Sequence, residues 1–368
     1  MLLLTPGPTP VPEDIRMAMS GPTIHHRTPE FEEIFEKTRE LLKELFDMEE
    51  VLMLASSGTG AMEATVLNLC KTKALTINSG KFGERFGKIC EAYGKEYSEL
   101  KYDWDTPSNV ADVVNAIKND ESIDAIFIQI CESAGGLRHP VEQIAKEVKK
   151  IRPNIMVVAD GITAVGVEKI DTTNIDALIS GSQKALMLPP GLALIGLSGS
   201  AMKVIEEGGV GYYLNLKTEL KKQKQNTTAY TAATTLIIGL KAMLEKLHED
   251  GFDKLYSDTK KRSLATKKAL EALDLKIFPK VPADAMSAVY DEDAAQIRKI
   301  LKTKYDVNMA GGQDHVKTTL FRINHMGLVA PYEAAWTLNA IEMALDEIGR
   351  RPYDGAANAI FSKELYND

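Results

Sequence analysis

Lysine 184 stands in Asp176-Ala-Leu-Ile-Ser-Gly-Ser-Gln-Lys184-Ala-Leu-Met-Leu-Pro-Pro-Gly191, where a short apolar run ends in small polar residues and then turns. A lysine just past a strand end, set among Ser, Gly and apolar neighbours, is partly desolvated. That lowers its pKa and frees an amine to attack a carbonyl. Upstream, Asn154-Ile-Met-Val-Val-Ala-Asp160-Gly161 is a β-rich run that closes on a carboxylate. Open parallel sheets bind ligands outside the carboxyl ends of their strands, so Asp160 and Lys184 are expected to face the same crevice. A third group, Ser56-Ser57-Gly58-Thr59-Gly60, follows the apolar run Val51–Leu54 and precedes the helix-like Ala61–Cys70. Its small residues let backbone N–H groups and hydroxyls close on a phosphate where a helix dipole favours negative charge. The pattern is not Gly-x-x-x-x-Gly-Lys-Ser/Thr, so a nucleotide P-loop is not expected.

An amine for an imine, a carboxylate for a ring nitrogen and a cup for a phosphate are the three needs of pyridoxal 5'-phosphate (PLP). The order Thr5-Pro-Gly-Pro-Thr9, Ser57-Gly-Thr-Gly-Ala-Met-Glu63, Cys131-Glu-Ser-Ala-Gly-Gly136, Asp160, Gly181-Ser-Gln-Lys-Ala-Leu186 and Phe321-Arg322 resembles the class V aminotransferases. The likeness is to the alanine/serine–glyoxylate (serine–pyruvate) branch and runs over nearly the whole chain. It implies a type I PLP-dependent transferase fold and transfer of an amino group from a small amino acid to a small 2-oxo acid. Glyoxylate or pyruvate is the expected acceptor, in a ping-pong Schiff-base cycle.

The resemblance also assigns roles. Lys184 carries the cofactor and moves the α-proton, Asp160 holds the pyridine nitrogen protonated, and Ser57, Gly58 and Thr59 hold the phosphate. Phe82 stacks on the ring where the family usually has Trp, Ser133 offers a hydroxyl to the ring oxygen or substrate, and Gln183 orients the ring oxygen or phosphate loop. Thr231, with Thr228 as the alternative, is expected to cross a homodimer interface to the partner's phosphate. Arg322 lies in Leu320-Phe-Arg-Ile-Asn324, where strand alternation sets it opposite Phe321 and Ile323. A planar guanidinium matches the substrate α-carboxylate.

The elements that must position these groups follow from periodicity. Apolar runs at 51–54, 74–77, 124–130, 155–159, 177–179 and 192–197 alternate with amphipathic stretches, which implies an α/β fold with a mostly parallel sheet covered by helices on both faces. Proline-rich residues 1–15 read as an extended arm able to pack across a surface, 16–255 as a large cofactor-binding domain and 256–368 as a smaller α+β domain. Phe31 to Asp47 has helical spacing, two helices meet at Gly251, and further helices are expected over 293–305 and 331–348.

Composition narrows the class. Charged residues at 26% and hydrophobic ones at 44% fit a globular protein, and 44 basic against 52 acidic residues (net charge −8) argue against nucleic acid or anionic membrane as partners. Three cysteines without metal-type spacing and a short, unflanked apolar start lead to the expectation of a cytoplasmic protein. His25 and His26 are adjacent, but nothing completes a set of metal ligands, so no metal is expected. Competing readings are a cysteine desulfurase or other PLP lyase, a phosphoserine or aminoethylphosphonate transaminase using Arg27, and a non-catalytic subunit that keeps the fold.

Overall fold

The computed structural model describes residues 1–366; residues 367 and 368, the end of the expected small domain, lie outside the described residues. Its centre is a seven-stranded sheet in the order Glu50–Ala55, Leu192–Leu197, Ala177–Gly181, Met156–Asp160, Ile123–Gln129, Lys73–Asn78 and Glu96–Lys101. The interior strands are largely apolar and buried, because helices cover both sides and little of either face is left for water. Leu192–Leu197 runs antiparallel to both of its neighbours. The remaining pairings are parallel, so six strands end at one edge: those closing at Ala55, Asn78, Lys101, Gln129, Asp160 and Gly181.

Each apolar run read from the sequence is one of these strands. Glu96–Lys101 was not foreseen. It is one edge of the sheet, reads Glu-Tyr-Ser-Glu-Leu-Lys with every residue exposed or half-buried, and its charges protect an otherwise sticky edge. The helix read over 31–47 spans Pro29–Phe46, and its Thr28 hydroxyl accepts from the Phe31 amide. The paired helices are Thr234–Asp250 and Phe252–Glu271, broken at Gly251 with φ +85°.

A second, antiparallel sheet of four strands lies toward the C-terminus in the order Lys276–Ile277, Met286–Tyr290, Leu320–Asn324 and Ala310–Gly311. Helices Phe252–Glu271, Ala294–Lys304 and Pro331–Glu347 cover it through a core that includes Phe321, Ile323, Leu338 and Ile341. The N-terminal arm joins that core. Leu2–Leu3 pairs in parallel with Val307–Asn308, the Asn324 amide donates to the Leu4 carbonyl at 2.9 Å, and Leu4 is buried. Among the described residues no helix is long and apolar enough to cross a membrane.

Candidate active site

The strand ends deliver the predicted groups to one place. Asp160 and Gln129 are paired across their parallel strands, and Asp160 faces Ile179 on the other side. Buried at 4% exposure, Asp160 accepts from the Ile162 amide at 2.9 Å through Oδ1, and its other oxygen accepts from no described residue. Burial pushes its pKa from 3.8 up to about 6, while that amide, Arg85 and Lys184 pull the other way.

Lys184 follows the next strand through Ser182 and Gln183. The Ser182 hydroxyl donates to the Pro189 carbonyl at 2.7 Å and accepts from Leu192, and the Met187 amide returns to the Lys184 carbonyl at 3.0 Å. Together these bonds lock the turn. Lys184 keeps some exposure overall, yet its amine is enclosed by the N-terminal arm and donates to the Pro6 carbonyl. Burial, reinforced by the positive charges of Arg322 and Arg85, lowers its pKa from 10.5 to about 8. A substantial neutral fraction is therefore present in the physiological range, as a nucleophilic amine requires.

The cup lies against the same floor. The helix begins at Gly58, inside the stretch read as a loop, and runs Gly58–Leu69 with Ser57 as its N-cap. The Ser57 hydroxyl caps no amide, and the Gly58 and Thr59 amides donate to no described residue. A Cβ on Gly58 would lie 2.5 Å from Ile162 Cδ1, and one on Gly181 would lie 3.5 Å from the Gly58 amide. The cup thus abuts both the Asp160 loop and the Lys184 strand. Phe82, read as part of a strand-end loop, is in the first turn of helix Lys81–Ala92. Arg85 sits 4.7 Å from the centre of its ring and donates to the Thr59 hydroxyl at 3.0 Å.

Arg322 reaches the site from the four-stranded sheet, on the face opposite Phe321 and Ile323 as alternation requires. Its Nε and Nη2 donate to the Gly311 carbonyl at 2.9 and 2.7 Å, and its Nη1 donates to the carbonyl of buried Ser133 at 2.6 Å. Burial brings its pKa from 12.5 to about 10, still a cation at neutral pH. Gln183 carries a buried Oε1 with no partner among the described residues. Thr231 is not in this cluster. It is exposed on the rim of a small cavity shared with Leu54, Ala55, Tyr213, Thr228 and Tyr230, while the buried Thr228 hydroxyl is spent on the Tyr230 carbonyl.

Four further neighbours of the site received no role from the sequence, although Thr5–Thr9 is one of the motifs that carry the resemblance. The arm's Pro6, Gly7 and Thr9 touch the lysine segment: the Thr9 hydroxyl donates to the Lys184 carbonyl at 2.7 Å, and its amide donates to the Gln183 carbonyl at 3.1 Å. A Cβ on Gly7 would approach the Lys184 side chain to 2.6–2.9 Å, and its φ of +97° also favours glycine. Arg85, the fourth, falls one helical turn after Phe82, a spacing that signals a shared face.

The family model described as Aminotransferase class-V matches residues 15–329. The chain belongs to the class V aminotransferases. It is 52% identical over 367 residues to an uncharacterized aminotransferase of Helicobacter pylori, covering 100% of both chains. It is 31% identical to a serine–glyoxylate aminotransferase of Hyphomicrobium methylovorum over 98% of this chain and 94% of that one. A crystal structure of a subgroup IV aspartate aminotransferase from Thermus thermophilus superposes with a TM-score of 0.88 at 32% identity, covering 95% of this chain and 100% of that chain. This aminotransferase therefore has the PLP-dependent transferase fold and is a transaminase of a PLP-dependent family. Its own residues suit that cofactor: an enclosed amine, a carboxylate with one uncommitted oxygen, an uncapped helix start and the unpartnered Gln183 oxygen lie together.

Proposed function

We propose that this aminotransferase moves an amino group from a small amino acid, alanine, serine or similar, to a small 2-oxo acid such as glyoxylate or pyruvate. The observation that carries the reading is the enclosure of Lys184. The Pro6–Gly7 backbone presses on its side chain while Arg322 approaches from the four-stranded sheet, which favours a short substrate held by its carboxylate. The name of the Hyphomicrobium relative supports the same acceptor.

When bound, PLP supplies an electron sink that acidifies the α-proton of an attached amino acid. The chain's residues do the rest. Asp160, through its uncommitted oxygen, keeps the ring nitrogen protonated; Ser57, Gly58 and Thr59 hold the phosphate at the helix start; Phe82 and Ser133 flank the ring, and Gln183 orients it. Lys184 would hold the cofactor through its amine and, once free, would take and deliver the α-proton on Nζ, tasks that its lowered pKa suits. A guanidinium has five N–H groups, of which three serve the Gly311 and Ser133 carbonyls, so Arg322 retains two for the α-carboxylate in a preset orientation.

The working unit in this reading is a homodimer. Tyr212 is 82% exposed beside Tyr213, Tyr230 and Thr231, and a partner surface there would bring Thr231 to the second phosphate. Residues 1–15, 16–255 and 256–368 serve as arm, large domain and small domain, and the three free, buried cysteines suit a reducing cytoplasm. Arg27, the cation of the phosphoserine reading, donates to Thr227 and to the Thr228 carbonyl, which commits it to that segment.

The test is the visible absorption spectrum of the purified protein with alanine, serine and aspartate added separately and no acceptor. A yellow band that bleaches toward the pyridoxamine form with alanine or serine is expected. A protein that stays colourless after incubation with PLP would overturn the reading.

A further inference from the structure

Glu132 has no part in the chemistry described so far, yet it is fully buried between the two halves of the site. A buried carboxylate is costly unless its lone pairs are met. Here all the protein donors are backbone: Oε2 accepts from the Phe82 and Gly83 amides at 3.0 and 2.8 Å, and Oε1 accepts from the Ala134 amide at 2.9 Å. The first pair belongs to the opening turn of helix Lys81–Ala92, where the dipole favours an anion. The third lies beside Ser133, whose carbonyl holds Arg322 at 2.6 Å. The chain makes way for this carboxylate at Gly80, where a Cβ would stand 2.6 Å from both Cγ and Cδ of Glu132. Burial pushes Glu132 up to about 7 while the three amides pull it down, and its negative charge helps keep Arg322 protonated.

We infer that Glu132 is a positioning residue that fixes two parts of the site to each other: the Phe82 platform, through the start of its helix, and the Arg322 carboxylate fork, through Ser133. This inference rests on the functional reading above. Its geometry dictates what substitution does. Glutamine keeps one acceptor oxygen and replaces the other with a donor, so whichever way it turns, at least one amide faces an N–H group. With oxygen toward Phe82 and Gly83, Ala134 is repelled and Ser133 shifts under Arg322; with the reverse turn, the helix start moves and Phe82 with it.

The experiment compares parent, Glu132→Gln and Glu132→Asp as purified full-length proteins. PLP dissociation constant, visible circular dichroism of the bound cofactor, donor KM and kcat are measured per folded site, with thermal melting alongside. Glu132→Gln is expected to raise the donor KM or the PLP dissociation constant about tenfold, with kcat changed less, and to alter the visible dichroism; Glu132→Asp, which keeps both acceptors, is expected to recover part of the loss. In a Phe82→Ala background the effect of Glu132→Gln on PLP affinity should shrink. Where Glu132→Gln does not fold, Glu132→Asp alone carries the same readouts.

A parent that binds PLP, beside variants that melt lower but keep every constant within twofold and the dichroism unchanged, overturns this inference alone, since the role is then only structural. Undiminished effects in the Phe82→Ala background overturn the coupling to the platform. A parent that takes up no PLP overturns the functional reading and this inference with it.

Discussion

The floor and the cover of the site are built by different means. The floor, Asp160 and Lys184 with the Gly58 cup, grows from the ends of three strands of the seven-stranded sheet, each fixed by ladder bonds and a buried apolar core. The cover, Arg322 and the Pro6–Thr9 arm, belongs with the four-stranded sheet, which meets the floor over a buried cluster of Cys131, Val167, Ala185, Met286 and Met326; at the site itself the polar links are single hydrogen bonds, Arg322 to Ser133, Thr9 to Gln183 and Lys184, and Lys184 to Pro6. A parallel ladder sets the position of a carboxylate from both sides. A lone bond to a carbonyl does not. If the proposed roles hold, substitutions in the ladder-fixed half act first on the chemical steps, and substitutions in the half held by single bonds act first on substrate recognition.

The sharpest separation of the two comes from the floor. Lys184→Ala is expected to lower turnover about 10³-fold or more, since both the nucleophile and the proton carrier are lost, with the fold retained; normal transamination by the variant would remove Lys184 from the mechanism. The pH dependence belongs to the same group. In the PLP-free protein the lysine is depressed to about 8, below its value of 10.5 in an unfolded chain. Between those values the unfolded chain binds more protons, so this residue makes stability rise with pH across about 8 to 10.5 and leaves a penalty below 8. Lys184→Ala should therefore lack that rise in denaturant melts, and the rate at which the parent captures PLP should climb through pH 8.

A smaller effect is expected on the cover. Arg322→Ala loses charge-assisted hydrogen bonds worth about 1.5–3 kcal/mol, a factor of roughly 10 to 100 in kcat/KM for the donor. PLP affinity should move much less. Equal losses in both would show that Arg322 supports the floor as well, and unchanged kinetics would exclude it from the site.

This division also tracks what was legible in the sequence. Asp160 and Lys184 were readable because a fully buried strand is a continuous apolar run, and the residue that ends it has a predictable place. Arg322 was readable because alternation fixes its face. Phe82 was found as a residue but misplaced by one element, since Gly80 breaks the chain only for a moment before a helix begins. The edge strand Glu96–Lys101 escaped because its charges mask the period. Thr231 lies at an exposed surface away from the other groups, so a single chain offers its proposed role no support. The arm's role was hidden for another reason: Pro6 and Gly7 act through backbone atoms and through the lack of a side chain, and Thr9 through one hydroxyl, none of which leaves a periodic trace.

That last residue offers the finest test of the comparison. Thr9→Val keeps shape and β-branching while deleting the hydroxyl that donates to the Lys184 carbonyl at 2.7 Å. Thr9 is buried at 3% exposure, so water does not readily replace the lost donor. The loss should cost about 1–2 kcal/mol, enough to lower the melting temperature by a few degrees. Its functional consequence should be selective. Asp160 and the Gly58 cup take no support from the arm, so PLP affinity should stay within about twofold of the parent, whereas the donor KM should rise several-fold as the Pro6–Gly7 backbone loosens over the amine. If PLP affinity and donor KM worsen together, the arm is a working part of the floor, and the line drawn between a rigid half and a movable half has to be redrawn through Lys184 itself.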